Sequence, residues 1–189
     1  MTKLTCFLFF VLLLSLVRRL FYRNIRWMWL TVFCLFAGGW TLLYSDLLFI
    51  LCGLGMTFCA ALVCFQDLFS CSFSVWWLLA VPAFFGFSLP FAPLFCPDLL
   101  SRIAALSFAA VGLVMERRRW FGMADVIYLA VMGWILGAEL TAAAVAFSCM
   151  MGLAWLALSR SFRRMIPFCS CLSIGFVLAF LSGTAGFLL

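Results

Sequence analysis

The feature that most constrains this chain is a succession of long apolar stretches separated by short polar or basic patches. Each stretch is close to the roughly 20 residues that an α-helix needs to cross the hydrocarbon core of a bilayer. Of the 189 residues, 69% are hydrophobic and 10% are charged. This composition provides too little polar surface for a water-soluble globule. The sequence therefore predicts an all-α, polytopic helical membrane protein, and it excludes a cytosolic enzyme, a disordered protein and a secreted disulfide-rich mini-protein.

The apolar stretches predict eight transmembrane helices in a single domain over residues 1–189. The predicted spans are 4–20, 27–44, 47–65, 75–95, 99–115, 122–138, 141–158 and 167–188. A cleaved signal peptide carries its positive charge before the apolar stretch and small residues after it. Here Arg18 and Arg19 follow the first stretch, so we expect that stretch to be retained as a helix.

The basic residues predict the orientation of this arrangement. If eight helices cross the membrane in succession, ten of the twelve Lys and Arg residues lie in three loops on the same side. These ten are Arg18, Arg19, Arg23, Arg26, Arg117, Arg118, Arg119, Arg160, Arg163 and Arg164. Because Lys and Arg concentrate in cytoplasmic loops, we expect a multi-pass protein of the cytoplasmic membrane with both termini outside. The net charge of +6 then reflects topology and anionic lipid, with the bilayer and not nucleic acid as a partner.

The composition also restricts the chemistry. Histidine is absent, which excludes Ser-His-Asp, Cys-His and His-metal sites. Most of the ten cysteines lie inside apolar runs, where cysteine behaves as a small hydrophobe, and there is no pair of CxxC motifs for zinc. We therefore predict no metal and no cofactor.

The six acidic residues are Asp46, Asp67, Asp98, Glu116, Asp125 and Glu139. Three of them fall in predicted external turns, and Glu116 adjoins a run of arginines. Asp67 and Asp125 differ, because apolar residues flank both and both fall at the predicted cytoplasmic edge of the membrane. An acid close to hydrocarbon is energetically costly and is therefore a candidate functional residue.

Two carboxylates at equal depth on different helices can meet in a bundle and share one proton. The ionised carboxylate can then take a proton from water while the neutral one polarises a peptide carbonyl. Gly122, three residues before Asp125, permits close approach of the backbone. The spacing leaves a second interpretation open, in which Asp67 and Asp125 each cap a helix or pair with an arginine.

Three segments carry a family resemblance. Residues 58–68 are an apolar run that ends in Asp67-Leu68, residues 121–125 read Phe-Gly-Met-Ala-Asp after a basic loop, and residues 166–168 read Ile-Pro-Phe. In order, spacing and side of the membrane, residues 47–188 resemble type IV prepilin peptidases, which are GxGD-type intramembrane aspartic proteases. The resemblance implies that Asp67 and Asp125 are catalytic and that the backbone at Gly122 and Ala124 supports Asp125.

This resemblance implies a membrane aspartic endopeptidase, a hydrolase that removes the short basic leader of type IV prepilin-like proteins at the cytoplasmic membrane face. Its partners would be prepilin-like substrates of pilus assembly or protein secretion. The sequence departs from the family at Ala124, where a glycine is usual, at Ile127, where a lysine is usual, and at residues 73–75, where Ile-Pro-Asn is usual. The first cytoplasmic loop is too short for the zinc and N-methyltransferase domain of larger members, so we expect a peptidase-only form.

Two alternatives stay open. One is a catalytically inactive relative that acts in pilus or secretion assembly. The other is a small proton or cation transporter in which Asp67 and Asp125 bind the ion. Transport sites usually lie near the midplane of the bilayer, whereas both aspartates are predicted at its edge, which favours the peptidase.

Overall fold

The computed structural model describes residues 2–22, 27–70, 80, 83, 97–119, 121–159 and 168–186. Of these residues 93% are helical and none lies in a strand, so the all-α prediction is confirmed. The helices are α1 (Thr2–Phe21), α2 (Trp27–Leu43), α3 (Leu47–Ser70), α4 (Leu99–Arg117), α5 (Met123–Ser159) and α6 (Phe168–Gly186).

Four of the described helices are long and apolar enough, by length and composition, to cross a membrane: Lys3–Phe21, Leu47–Phe69, Leu99–Arg117 and Met123–Ala154. Two apolar helices are shorter, at Trp29–Leu43 and Phe168–Gly183. The prediction of about eight spans is therefore not supported. The predicted spans 122–138 and 141–158 both lie within α5, where Met123–Ala154 is one candidate span with a break in helical geometry at Gly137. The predicted span 75–95 lies outside the described residues except for 80 and 83.

The chain forms two compact units. The first contains residues Met1–Phe95 and Thr184–Leu189, and the second contains Cys96–Gly183. The expectation of one domain over residues 1–189 stays a prediction.

In the first unit, α2 and α3 pack closely where a tryptophan of α2, Trp40, contacts a glycine of α3, Gly53. Trp40 is fully buried, and its ring occupies the space in which a side chain at Gly53 would lie. The Trp40 indole N–H donates to Thr57 Oγ1 at 3.0 Å, and that hydroxyl donates to the carbonyl of Gly53 at 2.8 Å. The buried polar atoms are thus satisfied, and the glycine permits a close approach of the two helices.

An aromatic cluster connects α3 with α2 and with the residue that follows α1. It consists of Tyr22, Phe33, Phe65 and Phe69. The Tyr22 ring lies 5.8 Å from that of Phe65 and 6.2 Å from that of Phe69. Phe33 of α2 contacts Phe65 edge-on at 6.0 Å. Burial against these rings raises the pKa of the Tyr22 phenol. The carboxyl ends of α1 and α3 therefore lie at the same end of the first unit.

In the second unit, α5 departs from helical geometry at Gly137, where φ is 74° and ψ is 178°. A Cβ there would lie 2.6 Å from both Pro97 Cβ and Ser101 Oγ. The next amide, that of Ala138, donates to Ser101 Oγ at 2.8 Å. A glycine is required here because a side chain would meet these atoms and would also strain the positive φ.

Contacts with α6 give the direction of the first part of α5. The ring centroid of Phe168 lies 4.4 Å from that of Phe121, which precedes α5, and the centroid of Phe176 lies 5.3 Å from that of Tyr128. From the first pair to the second, the residue number increases in both helices. Hence α6 runs parallel to the first part of α5.

The second part of α5 runs the other way. Gly183 of α6 packs against Leu140, and Gly175 packs against Ser148 and the backbone of Ala144. In these contacts a higher residue number in α6 goes with a lower residue number in α5. The chain therefore reverses direction at Gly137, and α5 consists of two helical segments that meet there.

Candidate functional site

Asp125 lies in the first turn of α5, and its carboxylate closes the start of that helix. The Gly122 N–H donates to Asp125 Oδ2 at 3.1 Å, and the Asp125 N–H donates to the Gly122 carbonyl at 3.0 Å. This reciprocal pattern is the acid half of a capping box. The positive end of the helix dipole also stabilises a carboxylate at this position. The local sequence thus holds the Asp125 side chain in a defined place at the end of an apolar helix.

Gly122 makes room for this arrangement. A Cβ at residue 122 would lie 3.3 Å from Asp125 Oδ2, which is a tight contact for a carbon beside a hydrogen-bonded carboxylate. A side chain at residue 122 would therefore press on the same oxygen that the backbone N–H holds.

Ala124 is helical, as the second residue of α5. Among the described residues, the one non-glycine with a positive φ is Arg119, at 60°. Ala124 therefore adopts a conformation that any residue tolerates, and the absence of the glycine that is usual in the resembled family adds no backbone strain here. Ile127, at the position of the usual lysine, is exposed on the same helix.

Asp67 lies near the carboxyl end of α3, which continues to Ser70 and is thus longer than the predicted span 47–65. Asp67 is buried, with only 8% of its surface exposed. Phe65 and Phe69, two residues away on either side, belong to the aromatic cluster. In contrast to Asp125, this carboxylate lies at the negative end of its helix dipole.

The same end of the first unit carries a buried cation. Arg18, near the end of α1, is also 8% exposed, and its guanidinium carbon lies 3.9 Å from the centroid of the Trp27 ring. Such stacking stabilises a desolvated guanidinium. The sequence predicted Arg18 in the loop between the first two spans, whereas it lies in the last turn of α1. The signal that could have indicated its burial is the tryptophan at the start of the following helix.

Asp67 belongs to the first unit and Asp125 to the second. The structure brings Gly122 and Asp125 together and buries Asp67 within the first unit. The pairing of the two carboxylates stays a prediction.

Two of the other acids have helix-capping roles. Asp46 Oδ1 accepts from the Leu48 N–H at 2.9 Å at the start of α3, and Asp98 Oδ1 accepts from the Ser101 N–H at 2.9 Å at the start of α4. Both follow from the preference for aspartate at helix starts. Glu139 is exposed just after the reversal in α5.

Among the described residues, no group of three or more Cys, Asp or Glu side chains could hold a metal ion. The eight cysteines of the same ranges are free thiols, and half of them are buried. They behave as small apolar residues.

Comparison of the chain with protein-family models, with curated proteins and with solved structures found no match. The family resemblance therefore rests on the motifs themselves.

Proposed function

We propose that this chain is a membrane aspartic endopeptidase that removes the short basic leader of prepilin-like proteins. The substrate's apolar segment would lie in the bilayer, and the scissile bond would lie at the cytoplasmic face. The proposed enzyme needs no histidine, metal or cofactor, because two carboxylates supply the proton transfers.

The observation that carries the proposal is the held carboxylate of Asp125. It stands at the start of an apolar helix, fixed by the Gly122 N–H at 3.1 Å, in the segment that resembles the family's catalytic motif. A catalytic carboxylate has to be positioned by its surroundings, because a misplaced group contributes little to the rate. The Gly122 contact supplies that positioning through the backbone.

The two aspartates stand in different environments, which suggests different roles. Asp125 lies at the positive end of a helix dipole, which suits the ionised base that takes a proton from water. Asp67 is buried near the negative end of α3, which suits the protonated partner that donates a hydrogen bond to the substrate carbonyl. After attack by water, the proton held by Asp125 would pass to the leaving amine.

A transporter is the second candidate, and the reversal at Gly137 is the observation that favours it. Discontinuous helices form ion sites in many transporters, because backbone groups at the break are open to ligands. In this protein, however, the Ala138 amide at the break donates to Ser101 Oγ, and Pro97 and Ser101 fill the adjoining space. The break therefore has a structural explanation, and the peptidase remains the better-supported proposal.

The test is co-expression of the full chain with a prepilin-like substrate, followed by gel electrophoresis for loss of the leader. We expect wild-type protein to shorten the substrate, and Asp67→Asn and Asp125→Asn each to reduce cleavage at least 100-fold, about the minimum contribution of such a group. Because the two carboxylates act as a unit, the double variant should be no worse than either single variant.

The matched control is Asp98→Asn. Asparagine also caps helices, so this variant keeps the start of α4 and changes one aspartate in the same way. It should cleave as wild type does. Asp125→Asn keeps an oxygen that can accept from the Gly122 N–H, so membrane levels should be unchanged. Retained cleavage by Asp125→Asn would disprove the mechanism, and no cleavage by wild type of any prepilin-like substrate would favour the inactive relative.

A further inference from the structure

An open groove lies beside the carboxyl-terminal half of α1. It has a volume of about 740 Å³ and is lined by Leu12, Ser15, Leu16, Arg18, Arg19 and Trp27. The leucines lie one to two turns before the arginines, and both are exposed. One end of the groove is thus apolar and the other end is cationic.

The cationic end concentrates positive charge. Arg18 and Arg19 line it together, and none of the six lining residues is acidic. Stacking on Trp27 holds the Arg18 guanidinium, whereas Arg19 is exposed. The exposed Arg19 guanidinium can attract an anion. Arginine also binds phosphate oxygens through two parallel N–H donors, which lysine cannot do.

The position of this groove along α1 indicates what kind of phosphate it suits. A helix of 20 residues is about 30 Å long, close to the hydrocarbon thickness of a bilayer. If α1 crosses the membrane, Arg18 and Arg19 fall at the depth of the lipid headgroups. Leu12 and Leu16 then fall at the depth of the acyl chains. A free phosphate would use the arginines but would leave the apolar wall without a function.

We propose that this groove binds one anionic phospholipid, with the phosphate at its arginine end, where Arg19 is exposed, and an acyl chain along Leu12 and Leu16. This site is independent of the proposed peptidase activity, because it uses neither Asp67 nor Asp125. It would bind lipid equally in an active enzyme and in an inactive relative.

The test measures lipid binding by the purified full chain in detergent, using native mass spectrometry during titration with phosphatidylglycerol. Parallel titrations use phosphatidylcholine and inorganic phosphate. We expect wild-type protein to bind one phosphatidylglycerol more tightly than phosphatidylcholine. Arg19→Gln should weaken phosphatidylglycerol binding about fivefold, since a basic residue near an anionic lipid contributes about that factor. Arg19 is exposed, so the variant should fold.

The matched control is Arg117→Gln, which removes an exposed arginine from the last turn of α4. It should change the affinity less than twofold. Leu12→Ser should weaken binding of the lipid while leaving any binding of inorganic phosphate unchanged. Equal losses in Arg19→Gln and Arg117→Gln would mean a general charge effect and would overturn the site. Equal affinity for phosphatidylcholine, or full competition by millimolar phosphate, would overturn the assignment to an anionic lipid.

Discussion

The two aspartates Asp67 and Asp125 show how position along a helix changes what one residue type can do. Asp125 stands in the first turn of α5, where a backbone N–H and the helix dipole both favour its charge. Asp67 stands near the end of α3, where it is buried and the dipole opposes a negative charge. The difference in their surroundings is therefore the basis of the different roles proposed for them.

Glycine has a comparable dependence on its surroundings. Gly175 of α6 lies against Ser148 and the Ala144 carbonyl, so an added Cβ would overlap both. Gly38 of α2 is open by comparison, since an added Cβ would lie 3.9 Å from Phe7 Cε2. The same substitution should therefore have opposite consequences at these two positions.

We expect Gly175→Ala to lower the free energy of unfolding by about 1–3 kcal/mol, because a methyl group is forced against backbone atoms that cannot rotate away. Gly38→Ala should leave stability unchanged or slightly raised, since alanine has the higher helix propensity. The measurement is thermal unfolding of each purified variant in the same detergent. A Gly175→Ala protein as stable as Gly38→Ala would contradict the close packing of α6 on α5.

At the scale of the element, α5 contains the predicted spans 122–138 and 141–158, and the break between them carries a single charged residue, Glu139. That charge by itself does not fix the backbone. The reversal depends instead on the positive φ of Gly137 and on Ser101 of α4, whose hydroxyl accepts from the Ala138 amide. A neighbouring helix therefore completes the turn.

Ser101→Ala should destabilise the second unit by about 1–3 kcal/mol, because the Ala138 amide at the break loses its acceptor. Ser107→Ala is the matched control on the same helix: its hydroxyl donates to the carbonyl of Ala104 on an exposed face, so its loss should change stability by less than about 0.5 kcal/mol. Hydrogen exchange at Ala138, read with thermal unfolding, distinguishes the two. Equal protection of Ala138 in both variants would contradict the role of Ser101.

At the scale of the whole molecule, the distribution of arginine predicts which face meets the cytoplasm. Arg117, Arg118 and Arg119 follow one another at the end of α4 and are exposed. Lys3 and Arg102 instead contact backbone carbonyls, those of Tyr44 and Pro97. The exposed basic turn is therefore a suitable probe of orientation.

Trypsin should cut the turn at Arg117–Arg119 in inverted membrane vesicles, which expose the cytoplasmic face, and should spare it in vesicles of native orientation. Peptide mass spectrometry identifies the cut, and a periplasmic marker protein verifies the sealing of each preparation. Cutting in vesicles of native orientation alone would reverse the predicted topology and remove the proposed site from the cytoplasmic face.

Some features of the candidate site follow from short stretches of sequence. The helix start at Met123 lies one residue from the predicted start at residue 122. Asp46 and Asp98 each precede an apolar run and cap the helix that it forms. These features depend on residues within one turn of each other, so a local pattern is sufficient to predict them. The burial of Arg18 on Trp27 depends on how two helices meet, and local patterns do not encode it.

The sequence by itself determined that the described chain is helical and apolar enough to cross a membrane, because every long stretch has the composition that only a hydrogen-bonded helix can place in lipid. Composition did not fix how the helices pack. The structure shows that packing in the hydrogen bond from the Ala138 amide to Ser101 Oγ, 37 residues away, and in the Trp40 ring that fills the space beside Gly53. Uniform hydrophobicity leaves many helix packings nearly equal in energy. Close contacts between distant small and large residues select one of them.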